Sequence, residues 1–211
     1  TIDKHVKNGL NYGHINNGCC SPMTNTIDIW RTEEIMKVTI HELFHLFHCD
    51  KSMSDNYNII DFYQKRYNIN SDRVNTFEAY TEIWANILNC FLISNNDYKN
   101  FIKYINLEHS WSNIQAQKIF ILKNLDKNIT IDINKYTNVL AYFIIRCEIY
   151  NNFKGFIKLF NKSICNNSKV YFEFLQNVNK IIQRDELIKN ISKKNYIYKS
   201  LRMSCMEIKL F

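Results

Sequence analysis

The stretch TIHELFHLFHCD, residues 39 to 50, constrains the fold of this 211-residue chain more than any other. It contains His41, Glu42 and His45 in the order H-E-x-x-H, with apolar residues between and after them. Residues four apart on an α-helix lie about 6 Å apart along its axis and on nearly the same face. Because two imidazoles can then converge on one ion, the motif predicts a helix that carries two metal ligands.

The same five residues would also fit a helix with two half-exposed histidines and no metal, since so short a pattern occurs by chance. His48 is not favoured as a third ligand, because ligands at 41, 45 and 48 of an unbroken helix would span about 10 Å, too far for bonds near 2 Å. The longer pattern H-E-x-x-H-x-x-G-x-x-H fails, since His48 replaces its glycine and Lys51 its last histidine. Asp50 and Asp55 follow the expected helix end near His48 and have no supporting pattern.

A catalytic zinc ion requires a third protein ligand and one open position. Glu78 and Glu82 stand four apart in the apolar stretch FEAYTEIW, residues 77 to 84. A carboxylate on the buried side of a helix is costly unless it is paired or binds a metal. We therefore expect Glu78 to be the third ligand and Glu82 to accept a hydrogen bond from a ligating histidine. The reverse assignment, or a solvent-facing position for both carboxylates, stays open from spacing alone.

The remaining pattern predicts an α+β fold that is mostly helical. Only four glycines and one proline are present, which favours long helices with few tight turns. The alternation in NTIDIW, residues 25 to 30, predicts a short half-buried strand. Thr32 is the expected N-cap of the H-E-x-x-H helix, with Glu33 and Glu34 in its first turn.

Helical patterns also cover residues 74–93, 98–125, 136–161 and 170–192, and 127–133 is a possible strand or extended link. The segment containing Ile59 and Phe62 is ambiguous. We expect a single domain over residues 1–211, in which 1–50 carry the strand and the H-E-x-x-H helix and 51–211 form a helical lobe with the third ligand.

Charge and cysteine usage narrow the function classes. The net charge of +7 comes from lysines spread along the chain, without a nucleic-acid motif, so nucleic-acid binding is not favoured. No segment approaches the roughly 20 apolar residues of a membrane span. Seven scattered cysteines without a C-x-x-C pair favour reduced thiols in an intracellular, cytoplasmic setting. The oligomeric state is not indicated.

The H-E-x-x-H motif followed by an acidic residue on a later helix resembles the gluzincin branch of zinc metallopeptidases. More narrowly, the blocks IDIWRTEEIMKVTIHELFHLFHCD, FEAYTEIWANILN and KYTNVLAYFII resemble zincin-like proteins of large DNA viruses, over roughly residues 14 to 160. The resemblance implies a zincin-like fold, in which a small N-terminal sheet edge aligns an extended peptide and the active-site helix packs on a helical lobe. It also implies a virus-infected cell or a virion as the setting.

The expected function is that of a zinc-dependent peptidase with one zinc ion (Zn2+) per chain and a peptide or protein substrate. Glu42 would act as general base toward zinc-activated water and pass the proton to the leaving amine. Tyr142 is the favoured oxyanion donor, ahead of Tyr80 and His109. Arg146 shares a helix face with Tyr142 and could bind a substrate carboxylate.

Two other functions stay open. The first is a non-proteolytic or structural zinc-binding interaction protein with a zincin fold. The intact Glu42 argues against it, because a structural site has no use for a general base and usually closes its fourth position. The second is a basic helical interaction protein without metal, which predicts that His41, His45 and Glu78 do not meet in space.

Overall fold

The computed structural model describes residues 15–30, 32, 34–51, 54–123, 137–160, 168–182, 184, 186 and 200–206. The described chain is α+β and mostly helical, as predicted. Its strands are β1 (Gly18–Ser21) and β2 (Thr26–Ile29). Its α-helices are α1 (Ile35–Leu46), α2 (Tyr57–Tyr67), α3 (Thr76–Ile93), α4 (Tyr98–Lys123), α5 (Arg146–Asn151), α6 (Phe153–Leu159) and α7 (Ser168–Asn177), and a π-helical segment (Leu140–Ile145) precedes α5.

The two strands form an antiparallel hairpin that packs on α1. Gly18 pairs with Ile29 and Ser21 pairs with Thr26, so the strand predicted from NTIDIW is confirmed as β2. A Cβ atom at Gly18 would lie only 2.8 Å from Cγ1 of Val38 on α1. The absence of a side chain at this position therefore lets β1 approach the helix that carries the H-E-x-x-H motif.

Helix α1 begins at Ile35, so the prediction that Thr32 caps it is wrong. Glu34 is the N-cap residue, with a left-handed φ of 64°, and its buried carboxylate accepts a hydrogen bond from Asn17 Nδ2 at 2.6 Å. Glu34 therefore precedes the first turn instead of lying in it, and Glu33 lies outside the described residues. Tertiary partners have replaced the local capping that the sequence suggested.

Helix α3 is the central element, since it packs against α1, α4, α5 and the π-helical segment. It starts at Thr76, two residues later than predicted, because Asp55 caps it from a distance. The Asp55 carboxylate accepts hydrogen bonds from the Asn75 N–H at 2.6 Å and from the Thr76 N–H and hydroxyl at 3.0 and 2.6 Å. This cap fixes the helix end nearest Glu78.

The other helical predictions are partly confirmed. The ambiguous segment is helix α2, and the helix expected over 98–125 is α4, which is described as far as Lys123. The stretch 136–161 is not one helix, because a π-helical segment opens it and a break at Asn152 separates α5 from α6. Helix α7 covers only the first part of 170–192, and the possible strand at 127–133 lies outside the described residues.

The core lies between α3, α4, α5 and the π-helical segment. All six residues of the π-helical segment are buried. In the part of the chain that is described, no helix has both the length and the apolar character needed to cross a bilayer.

Candidate metal centre

Helices α1 and α3 bring three side chains to one point. His41 and His45 come from successive turns of α1, and Glu78 comes from the first turn of α3. The Nε2 atoms of the two histidines lie 3.1 Å apart. Glu78 Oε2 lies 3.3 Å from Nε2 of His41 and 3.5 Å from Nε2 of His45. These three residues form a group that could hold a metal ion.

The spacing of the three atoms fits a tetrahedral ion. Zinc bonds of about 2.0–2.1 Å at the tetrahedral angle hold neighbouring ligand atoms about 3.3 Å apart. The observed separations of 3.1, 3.3 and 3.5 Å lie on either side of that value. An ion on the three atoms therefore needs little movement of the side chains.

Each histidine is hydrogen-bonded to a carboxylate through its other ring nitrogen, Nδ1. Nδ1 of His41 lies 3.0 Å from Oε2 of Glu82, and Nδ1 of His45 lies 2.7 Å from Oδ2 of Asp50. An ionised carboxylate only accepts hydrogen bonds, so Nδ1 of each ring must donate. In the neutral imidazole, the lone pair is then on Nε2. Two such lone pairs and the Glu78 carboxylate face one another, an arrangement that only a cation or added protons can stabilise.

The electrostatics of the site favour positive charge at this point. Burial lowers the pKa of His45, but its hydrogen bonds to Asp50 and Glu78 outweigh that effect and raise the pKa to about 10. Burial raises the pKa of Glu78, but the two histidines reverse the effect and lower it to about 2. For His41, hydrogen bonds to Glu78 and Glu82 likewise overcome burial and raise the pKa. A metal ion would take the place of the histidine protons.

Asp50 contacts the site although it was not predicted as a site residue. Helix α1 ends at Leu46, two residues before its expected end, and His48 adopts a left-handed φ of 55°. The Cys49 N–H returns to the Phe44 carbonyl at 2.9 Å, so the chain turns back and carries Asp50 to His45. His48, which lies in this turn, is not among the three converging residues.

Glu82 is the centre of a buried charge cluster. Lys37 Nζ donates to its two oxygens at 2.8 and 3.0 Å, and Arg146 Nη1 donates to Oε1 at 3.1 Å. Burial raises the Glu82 pKa, but Lys37, His41 and Arg146 together lower it well below its usual range. Because both oxygens are engaged on the far side of the His41 ring, the geometry does not match the reverse assignment, in which Glu82 is the ligand.

The positions of the two cations beside Glu82 were not predicted from the sequence. Arg146 was expected to face a substrate, but it is only 1% exposed and donates to Glu82 and to the Met203 carbonyl. It therefore lies behind the site. Lys37 was not predicted to lie at the site, although it precedes His41 by one helical turn and so shares its face.

Glu42 and Tyr142 lie beside the three converging residues. Glu42 is 7% exposed, and burial raises its pKa although the neighbouring histidines oppose the shift. Strand β1 packs against α1, the helix that carries this carboxylate. The Tyr142 hydroxyl donates to Glu78 Oε2 at 3.1 Å, and its ring centroid lies 6.2 Å from that of His41.

The two weaker candidates for an oxyanion donor are engaged elsewhere. Tyr80 is fully buried and packs against Phe160 and Tyr171, with ring centroids 5.4 and 5.6 Å away. His109 lies on α4 and pairs with Asn151 Oδ1 at 2.7 Å. Tyr142 is thus the candidate that contacts a converging residue.

Comparison of the chain with protein-family models, curated proteins and solved structures finds no match to any of them.

Proposed function

We propose that this chain is a zinc-dependent peptidase of the gluzincin type, in which His41, His45 and Glu78 hold the metal. The observation that carries the proposal is the convergence of their three ligand atoms, with Nδ1 of each histidine tied to a carboxylate. Two imidazoles and one carboxylate are a donor set typical of catalytic zinc, which leaves one position for water or substrate. A zinc ion there would supply Lewis-acid activation of water and of the scissile carbonyl.

Glu42 is the proposed general base. It follows the ligand His41 directly, and its buried position makes it a stronger base than an exposed glutamate, because burial raises its pKa. Its carboxylate would take a proton from the attacking water and deliver it to the amine that leaves.

Tyr142 is the proposed oxyanion donor. Burial and the charge of Glu78 keep its pKa well above the ordinary tyrosine value, so the phenol stays protonated and can donate. In the absence of substrate its hydroxyl donates to Glu78 Oε2. To stabilise an oxyanion, the hydroxyl would have to turn from this carboxylate toward the substrate.

The β-hairpin supports a peptide as the substrate. β1 and β2 pair only with each other among the described residues, so each strand has one edge without a strand partner there. Such an edge offers backbone N–H and C=O groups to an extended peptide. Because β1 packs on α1, a peptide on its edge would lie beside the helix that carries the proposed base. The proposed setting is an infected cell, and scattered cysteines without a C-x-x-C pair fit a reducing compartment.

The test combines metal analysis with peptide hydrolysis. Purified wild type should carry near one zinc per chain, and His41→Ala and Glu78→Gln should lose it. Glu42→Gln should keep the zinc and lose hydrolysis of a peptide library. Absence of zinc from the wild type, or full activity in Glu42→Gln, would refute the proposal.

A non-proteolytic zinc protein is the second candidate, and the burial of the site favours it. His41, Glu42 and Tyr142 are only 6%, 7% and 3% exposed, so little of the centre is open to a substrate. This candidate predicts zinc in both wild type and Glu42→Gln, with no hydrolysis by either.

A further inference from the structure

The segment Ser200–Met206 is irregular backbone that is at least partly buried, and side chains from other parts of the chain hydrogen-bond to it. Its carbonyl groups accept hydrogen bonds from Lys118 at Ser200, from Trp111 and Gln115 at Arg202, and from Arg146 at Met203. Its N–H groups donate to Glu34 at Ser204 and to Glu108 at Cys205 and Met206. Buried backbone requires such partners, so these side chains hold the segment in one position.

Two of these contacts lead directly to the metal centre. Arg146 Nη1 donates to the Met203 carbonyl and also to Oε1 of Glu82, whose other oxygen meets Nδ1 of His41. Glu34, which accepts from the Ser204 N–H, is the N-cap of α1 and lies seven residues before His41. The segment thus contacts the N-cap of α1 directly, and it contacts Arg146, which in turn donates to the carboxylate that orients a proposed ligand.

Arg146 depends on these two acceptors. Its Nε and Nη2 atoms are buried and have no hydrogen-bond partner among the described residues. If the Met203 carbonyl moved away, Arg146 would be free to shift with it or toward Glu82. Glu82 is hydrogen-bonded to Lys37 of α1 as well as to Arg146. A shift of Arg146 would therefore leave Lys37 to determine the position of the Glu82 carboxylate.

We propose that the segment Ser200–Met206 positions the metal ligand His41 through Arg146 and Glu82. The inference rests on the proposed metal site. It adds that a segment distant in sequence helps to orient one of the proposed ligands. Groups that orient a ligating histidine change metal affinity by about 10–100-fold when they are lost. Arg146 is here a positioning residue, since it touches neither the metal position nor a substrate.

The chain contains a matched control. Arg66 joins a buried glutamate to a backbone carbonyl in the same way, through Nε to Glu148 Oε1 at 2.8 Å and through Nη2 to the Val178 carbonyl at 2.7 Å. Glu148 otherwise accepts from Tyr63 and Tyr67, and none of these residues contacts the metal centre. Arg66→Met therefore removes a comparable bridge at a place where no effect on metal is expected.

The experiment titrates Co2+ into the apo form of the full chain and records both affinity and visible absorption. Arg146→Met should bind Co2+ about 10–100-fold more weakly than wild type and shift its absorption bands, and Arg146→Lys, which keeps a donor, should recover part of the affinity. Arg66→Met should match the wild type in both measurements. Equal affinities in Arg146→Met and Arg66→Met would overturn the inference.

A second pair of variants tests the segment itself and serves if Arg146→Met does not fold. Glu108→Gln weakens the anchor of Cys205 and Met206 without contacting Glu82, and Glu148→Gln is its control. A lower Co2+ affinity in Glu108→Gln alone supports the inference, whereas an unchanged affinity excludes the segment from the support. Failure of the wild type to bind Co2+ or Zn2+ would instead refute the metal site as a whole.

Discussion

Nδ1 of His45 lies 2.7 Å from Oδ2 of Asp50, five residues further along the chain. Because the carboxylate can only accept, this contact fixes the ring with Nε2 toward His41 and Glu78. Asp50 thus does for the second histidine what Glu82 does for the first. The two supports differ in their surroundings, since Glu82 is shared with two buried cations.

Asp50→Ala should weaken zinc binding about 10–100-fold, because His45 loses the partner that orients its ring and raises its basicity. Competition with a chromophoric chelator would measure the affinity. Asp61→Ala is the control, since Asp61 forms an exposed pair with Lys65 on α2 at 2.8 Å. The same loss of affinity in both variants would show that the change is not specific to His45.

Glu82→Gln should destabilise the apo protein by about 3–5 kcal/mol, the range found when one partner of a buried ion pair is removed. The variant removes the carboxylate charge that pairs with both Lys37 and Arg146, each only 1% exposed at the side chain. Urea unfolding followed by circular dichroism would measure the change. Asp61→Asn should cost at most about 1 kcal/mol, because its pair is exposed. A loss no larger in Glu82→Gln would mean that the cluster contributes little.

The three converging residues could be predicted, the two histidines because helical spacing fixes their relative positions. His41 and His45 must share a face of any helix that contains them, and Glu78 stood out as an acid in an apolar helix. The partners of Glu82 could not be predicted in the same way. A lysine or arginine in a sequence is normally solvated, and only the packing of α1, α3 and α5 buries Lys37 and Arg146 against one carboxylate.

Features that depend on where a helix ends could also not be predicted from the sequence. Asp50 reaches His45 only because His48 takes a left-handed conformation that ends α1 early. Histidine adopts positive φ more readily than most residues, but its presence alone does not mark the end of a helix. The same limit explains the wrong cap at Thr32, where Glu34 is fixed by Asn17 and by the distant Ser204.

Metal affinity should rise steeply with pH. The folded-state pKa of His45, about 10, is above its unfolded value of 6.5, so its proton stabilises the apo fold fully below pH 6.5 and the contribution is lost as pH rises through 10. Between pH 6.5 and 8, zinc must therefore displace that proton and any proton on His41, whose pKa is also raised, so the apparent affinity should rise at least about tenfold per pH unit. Calorimetry in buffers of different ionisation enthalpy would count the protons released. A plateau above pH 7 would mean that His45 titrates with an ordinary pKa.

Glu78 sets the acid limit of the same cluster. Its folded-state pKa of about 2 is below the ordinary 4.5, so its contribution to stability is present above pH 4.5 and is lost as pH falls toward 2. Glu78→Gln should therefore lose less stability than wild type between pH 4.5 and 2, as measured by the urea midpoint of the apo proteins. Identical pH profiles would place the Glu78 carboxylate away from the histidines.

Tyr142→Phe separates two roles for a hydroxyl that lies 3.1 Å from Glu78 Oε2. If the hydroxyl stabilises the oxyanion, its removal should lower kcat about 100–1000-fold and leave zinc affinity unchanged, because the lost interaction forms only in the transition state. If it only orients Glu78, zinc affinity should fall and kcat at saturating zinc should recover. Tyr80→Phe, which alters a buried hydroxyl in the aromatic cluster around Phe160, is the matched control for the loss of a phenol. A kcat equal to that of wild type at saturating zinc would exclude Tyr142 as the oxyanion donor.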